Sequence, residues 1–208
     1  MSAQPGAIRL ALIRHGPTDW NAVKRIQGHS DIPLSEAGIA HLRTLRVPAE
    51  LAARDCYVSP LRRARQSAAL LGRGEARVAP ALREMSWGEW EGQILKPLRR
   101  RLGDEMRANE ARGLDFRPPG GESPREVQAR LLDWLAALAG RGNDACAVTH
   151  KGIIRCLYSL ASGWDMLGDC PLDFDWSCAW QWQIDASGQP LAQQQAIPLR
   201  RHGDSTGR

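Results

Sequence analysis

The stretch Leu10-Ala11-Leu12-Ile13-Arg14-His15-Gly16-Pro17-Thr18-Asp19-Trp20-Asn21 decides how the rest of the chain is read. The apolar run from Ile8 to Ile13 stops abruptly at Arg14-His15-Gly16. A buried parallel strand ends in this way, with a turn at its carboxyl edge. Gly16 is expected to let the backbone turn tightly, and Pro17 fixes the next φ. Open α/β sheets bind their ligands at that edge. A guanidinium and an imidazole therefore leave the sheet side by side where a ligand would sit. The tripeptide alone reads more readily as a solvated basic strand end.

Further along, the pattern repeats. Ala145 to Val148 reads as a second buried strand, broken by Thr149-His150-Lys151-Gly152 and followed by a helix from Ile153 to about Leu160. Between the two, Cys56-Tyr57-Val58 is a short strand. Ser59-Pro60 is expected to open a helix through Leu71, with serine as cap and proline at the first helical position. Ser35 is expected to cap a helix running to about Arg46, and Arg77 to Ala79 is another short strand. Ser123-Pro124-Arg125-Glu126 is a capping box, and its helix carries Val127, Leu131, Leu135 and Leu138 on one face. Trp176 to Ile184 alternates, Ser187-Gly188 turns, and Leu191 to Leu199 returns, which predicts a hairpin at a sheet edge.

Strands alternating with helices give the fold class: α/β, a three-layer sandwich with a mainly parallel central sheet, helices on both faces and a C-terminal edge hairpin. Residues 1–208 are read as a single domain. An irregular insertion at about 84–121 is expected over the site, with Lys96 to Arg112 as an exposed helical segment. The polar residues 200–208 are read as a mobile tail.

Composition narrows the function classes. The net charge of +5 rests almost wholly on arginine, since Lys24, Lys96 and Lys151 are the only lysines. Arginine suits planar, bidentate phosphate recognition. The charges are spread through the chain without a basic stripe or interleaved aromatics, so nucleic acid is not the expected partner. No apolar run approaches a membrane span, and the residues from Met1 show no secretory pattern. Five cysteines without CxxC pairing fit reduced thiols and a cytoplasmic location, and argue against a zinc site.

His15 and His150 thus end two strands whose carboxyl edges lie close together in a doubly wound sheet, each with a cation beside it, Arg14 and Lys151. The helix after Gly152 would point its N-terminal amides into the same crevice. Ser59-Pro60-Leu61-Arg62-Arg63 adds an arginine at a third strand end. A phosphate dianion would be neutralised there, whereas a metal cation would be repelled, so no metal site is expected.

Several stretches, in order, resemble the histidine phosphatase superfamily. They are Arg14 to Asn21; Gln27-Gly28-His29-Ser30-Asp31-Ile32-Pro33-Leu34-Ser35; Ser59 to Ala68; Leu82-Arg83-Glu84-Met85-Ser86-Trp87-Gly88-Glu89-Trp90-Glu91-Gly92; Gly120-Gly121-Glu122-Ser123; and Val148 to Gly152. The resemblance implies that His15 is the nucleophile that becomes phosphohistidine. It also implies that Arg14, Arg63 and His150 bind the transferred phosphoryl group with Asn21 and Gly152, and that Glu84, partly buried, is the acid and base. Gln27, Gly28, Trp87 and Lys151 are placed at the pocket rim, with Trp87 and Trp90 as an apolar wall. His29 and His41 are read as loop and helix-surface residues and Arg62 as a solvated charge. Glu122 fits helix support and a site role equally, and Trp176, Trp180 and Trp182 are read as packing.

The expected activity is metal-independent hydrolysis of a small phosphorylated metabolite, with no cofactor, no membrane or nucleic-acid partner, and a monomer or homodimer. Two alternatives stand beside it: a cofactor-dependent phosphoglycerate mutase-type phosphotransferase, and a catalytically weak phosphate-binding or interaction module. The short segment between Glu84 and Gly120 favours hydrolysis, because a mutase needs an extra clamp for a second phosphate.

Overall fold

A computed structural model describes residues 6–201. In chain order the strands are β1 (Ile8–Arg14), β2 (Leu45–Arg46), β3 (Asp55–Val58), β4 (Arg77–Val78), β5 (Ala145–Thr149), β6 (Cys178–Ile184), β7 (Pro190–Pro198) and β8 (Arg200–Arg201). The helices are α1 (Asp19–Ala22), α2 (Glu36–Arg43), α3 (Ala49–Ala52), α4 (Arg62–Leu70), α5 (Leu95–Leu102), α6 (Asp104–Glu110), α7 (Pro124–Ala139) and α8 (Lys151–Ser162). The main sheet has the order β4-β3-β5-β1-β6-β7. Its first four members run parallel, and the β6–β7 hairpin closes one edge antiparallel. Among the described residues no helix is long and apolar enough to cross a membrane.

The layers follow from the period-two alternation of strand side chains. Leu10 and Leu12 of β1 join a core with Val127, Leu131 and Leu135 of α7 and Ile153 and Leu157 of α8. Ala11 and Ile13 face the other way, toward Leu42 of α2 and Ala64 and Ala68 of α4. β5 divides likewise, with Ala145 and Ala147 on one side and Cys146 and Val148 on the other. Both faces of the central strands are buried, as a parallel sheet requires. The register sets Arg14 opposite Thr149 and Val58 opposite Val148, so the residues after β1, β3 and β5 emerge together at one edge.

Several local expectations need correction. The helix expected from Ser59-Pro60 starts at Arg62, with Leu61 as an N-cap that makes no side-chain bond. Its orphan amide is met from a distance: Arg62 N–H donates to Asp31 Oδ1 at 2.6 Å. α2 stops at Arg43 rather than near Arg46, because Leu45–Arg46 pairs with Arg200–Arg201. Residues 200 and 201 are therefore strand, not tail; the remainder of the expected tail, 202–208, lies outside the described residues. α8 begins at Lys151 rather than Ile153, with His150 as its N-cap. Trp176 lies before β6, not on it. Gly16 does not take a left-handed turn; a side chain there would strike Leu42 of α2, so its smallness serves packing. The segment 96–112 is not merely exposed helix: Leu98 of α5 and Met106 of α6 bury a small core with Ile26 and Trp90.

Candidate active site

The sheet ladder continues one residue past the strands. The His15 amide donates to the Thr149 carbonyl at 2.9 Å, and the Ser59 amide to the Val148 carbonyl at 3.0 Å. His15, Ser59 and His150 thereby leave β1, β3 and β5 together. The two imidazole centroids lie 5.0 Å apart with the rings tilted by 58°.

His15 is 7 % exposed, and its Nδ1 lies 2.7 Å from the carbonyl oxygen of Gly16. A carbonyl only accepts, so Nδ1 carries the proton and Nε2 keeps its lone pair. Burial, and then the charge of Arg63, push this imidazole from 6.5 down to about 3, with Arg14 adding a smaller push. The ring is neutral near pH 7, which is the nucleophilic form. His150 is fully buried; its Nε2 lies 2.7 Å from Ser59 Oγ, while its Nδ1 has no partner. Burial, then His15 and Arg63, hold His150 well below the ordinary imidazole value.

Arg63 sits in the first turn of α4, fully buried. Its two terminal nitrogens donate to the carbonyls of Gly28 and Ser30, each at 2.8 Å. Arg14 lies with its guanidinium carbon 5.1 Å from the centre of the Trp176 ring. Buried polar atoms are almost always partnered. Yet Arg14 Nε, Arg63 Nε, His150 Nδ1 and Gln27 Oε1 are buried without one. Each unmet group costs about 1–3 kcal/mol. A tetrahedral oxyanion brings several acceptors at once, the partners that the two guanidinium nitrogens lack.

Glu84 is partly buried. Its Oε1 accepts from the Met85 amide at 3.0 Å and its Oε2 from the Gly152 amide at 3.2 Å, in the first turn of α8. A Cβ on Gly152 would collide with Glu84 Oε1, so glycine is required for this approach. The amide expected to meet phosphate is here given to Glu84, and Gly152 acts by placing the carboxylate. That carboxylate acts electrostatically on both Arg14 and Arg63.

Loops beyond the sheet hold these groups in place. Arg130 of α7 donates to the carbonyls of Ala81, Arg83 and Glu84 at 2.5, 2.9 and 3.3 Å, and pairs with Glu122 at 3.0 Å. Glu122 also accepts from the Ser86 amide at 2.8 Å and so braces the Glu84 loop. His29 Nε2 meets the Glu84 carbonyl at 2.8 Å. Glu91 accepts from the amides of His29, Ser30 and Trp87 and from the Ser30 hydroxyl, at 2.7, 2.7, 3.1 and 2.6 Å. It therefore fixes the loop whose carbonyls grip Arg63.

The remaining expected residues fall as follows. Asn21 Oδ1 accepts from the amide and hydroxyl of Thr18, both at 3.0 Å, so only its amide nitrogen is left to meet an anion. Gly28 contributes a carbonyl to Arg63 rather than a surface. Trp87 packs on Phe116 at 5.5 Å and on Trp90 at 6.5 Å. Lys151 lies 5.9 Å from the Trp176 ring. His41 and Arg62 are exposed. The sequence reading missed Ser59, Ser67, Glu91, Arg130 and Trp176. Ser67 accepts from the Gly16 amide at 2.9 Å and donates to the Arg63 carbonyl at 2.7 Å, tying the two arginine-bearing segments together. Ser59, Ser67 and Glu91 lie inside the stretches that resemble the family but carry no role there, and Arg130 carried no signal beyond its charge.

Comparison with known proteins agrees with this geometry. The chain is 30 % identical to phosphoglycerate mutase-like protein 4 of Arabidopsis thaliana, over 73 % of this chain and 70 % of that protein. It is 32 % identical to a 2,3-bisphosphoglycerate-dependent phosphoglycerate mutase of Methylobacterium sp., over 74 % and 80 %. Among solved structures, a phosphoglycerate mutase from Thermus thermophilus superposes with a TM-score of 0.66 at 30 % identity, covering 93 % of this chain and 100 % of that one. A mycobacterial glucosyl-3-phosphoglycerate phosphatase gives 0.67 at 26 % identity, over 92 % and 98 %. Residues 10–173 match the family model of branch 1, and the chain belongs to the histidine phosphatase superfamily.

Proposed function

We propose that the protein is a metal-independent phosphomonoester hydrolase that works through a phosphohistidine on His15 and acts on a small phosphorylated metabolite. His15 Nε2 attacks phosphorus in line, and the ester oxygen leaves with a proton from Glu84. Arg14, Arg63 and His150 stabilise the equatorial oxygens, where electrostatics carries most of the catalysis. Water then attacks the phosphohistidine, Glu84 takes its proton, and inorganic phosphate departs. The supporting observation is a buried, neutral His15 whose Nδ1–H is committed to a carbonyl while unpartnered guanidinium nitrogens stand at the same edge.

Relatives named as mutases favour a second reading, phosphoryl transfer between positions of one metabolite. Hydrolysis is favoured because most basic residues of the insertion, Lys96 and Arg100 aside, are already engaged. Arg99 pairs with Glu110, Arg107 with Asp104, and Arg117 with Glu126, while Arg101 donates to Gln93. Incubation with p-nitrophenyl phosphate in EDTA, at mildly acidic pH, should release p-nitrophenol and label His15 transiently. Conversion of 3-phosphoglycerate to its 2-isomer, with no phosphate released, would replace hydrolysis by the mutase reading.

A further inference from the structure

Ser59 is wholly buried where β3 gives way to α4, and its hydroxyl touches two groups among the described residues. It accepts from the amide of Leu61, the N-cap of α4, at 3.3 Å, and it lies 2.7 Å from His150 Nε2. An amide only donates, so the hydroxyl proton still needs an acceptor, and among the described residues Nε2 is the one it meets. His150 is fully buried as well, and burial, then His15 and Arg63, oppose a second proton on its ring. The ring therefore carries one proton, on Nδ1 or on Nε2. Nε2 is taken by Ser59, so any contact between this ring and a bound anion runs through Nδ1, which is buried without a partner.

The two tautomers differ in what an anion can repair. With the proton on Nε2, that N–H donates to Ser59, the serine proton is stranded in the interior, and Nδ1 offers a phosphoryl oxygen only a repelling lone pair. With the proton on Nδ1, Ser59 donates to Nε2, and the single unmet donor is an N–H that an oxyanion satisfies. We propose that Ser59 is a positioning residue that holds His150 as its neutral Nδ1–H tautomer, so that the ring donates to the phosphoryl group without carrying charge. Arg14 and Arg63 then supply the positive charge and His150 a fixed dipole, which needs no reorganisation when charge develops in the transition state. The same hydroxyl ties His150 to the start of the helix that bears Arg63, so donors from two elements keep one spacing. The inference deepens the hydrolase reading and rests on it for what the donor meets; the tautomer itself is measurable without turnover.

Ring NMR of the protein carrying isotope-labelled histidine reads it directly, because couplings between ring protons and nitrogens report which nitrogen is protonated. Wild type at neutral pH, free and with inorganic phosphate, should show His150 protonated on Nδ1 and bare on Nε2. A proton on Nε2, or on both nitrogens, overturns the proposal. S59A should leave His150 a mixture of tautomers in the free protein, while His15, held by the Gly16 carbonyl, keeps its Nδ1 proton and serves as the internal control. The dissociation constant of inorganic phosphate should rise by about tenfold and kcat fall by about 10–100-fold, part of the loss of a full oxyanion donor. S59C keeps the size of the side chain with a weaker donor and should fall between. A pure Nδ1–H tautomer with phosphate affinity within about twofold of wild type, in both variants, also overturns it. If wild type turns over no phosphomonoester, the hydrolase reading fails separately, and the ring spectra and calorimetric phosphate binding still decide the role of Ser59.

Discussion

The floor of the site and its wall are built by different means. The floor is the carboxyl edge of β1, β3 and β5, where sheet register alone places His15, Ser59 and His150. The wall is loop, and Glu91, Glu122 and Arg130 hold it by meeting backbone amides and carbonyls. A floor of this kind changes only if the sheet changes. A wall of this kind shifts whenever one side chain is lost. Chemistry that must not move is expected on the floor, and adjustment for leaving group and substrate on the wall.

Substitutions on the two sides should therefore differ in kind. H15A removes the nitrogen proposed to attack phosphorus and should lower turnover on the order of 10⁴-fold or more while leaving the fold intact. Activity within tenfold of wild type would end the floor's claim to the chemistry. E84Q should slow alkyl phosphates by about 10²–10⁴-fold, the range of general acid–base catalysis. p-Nitrophenyl phosphate, whose leaving group needs little protonation, should lose less at the phosphorylation step. Equal losses for both substrates would take the acid role away from Glu84.

The buried histidines also set a pH dependence of stability. His15 is pushed from 6.5 to about 3 by burial and by Arg63, so below pH 6.5 the unfolded chain binds a proton that the folded chain refuses. Stability is then complete above about pH 6.5 and is lost as pH falls toward 3, by roughly 1.4 kcal/mol per pH unit for such a group. His150 is lowered in the same direction and adds to the loss. Urea unfolding should show wild type losing about 1.6 kcal/mol more than H15Q between pH 6.5 and pH 5. The same loss in both proteins would mean that His15 is not held neutral by the fold.

How much of this was legible beforehand divides along the same line. The floor could be read because an apolar run broken by Arg14-His15-Gly16, and another broken by His150, are local patterns whose spatial meeting follows from parallel strands. That β1 is a buried strand was equally plain from its apolar run. The wall was not legible, because Glu91 and Arg130 act on backbone groups of residues distant in sequence, and nothing local marks a carboxylate that will collect four hydrogen bonds. Ser59 was misread for a related reason. Serine before proline fits a helix cap, and its hydroxyl does accept from the Leu61 amide at 3.3 Å, but the ladder carries Ser59 one residue beyond β3, where the same hydroxyl also meets His150. Trp176 looked like part of the alternation that begins only at Cys178, so its place over Arg14 could not be foreseen.

The smallest expected effects sharpen the contrast within the wall itself. Arg130 holds the carbonyls around Glu84, whereas Glu91 holds the loop that grips Arg63. R130M should thus imitate a weak E84Q, with kcat reduced about tenfold for alkyl phosphates and less for p-nitrophenyl phosphate, since a displaced acid is the defect. E91Q keeps the size of the side chain but weakens four hydrogen bonds and removes a charge that Arg63 feels. It should loosen phosphate: KM and the inhibition constant of inorganic phosphate should rise by about tenfold, with the leaving-group dependence of kcat unchanged. If R130M raises the phosphate inhibition constant as E91Q does, or E91Q alters leaving-group dependence as R130M does, the wall is one structural unit. Distinct signatures would show two supports, one for the proton and one for the anion, which is what separate hydrogen-bond partners require.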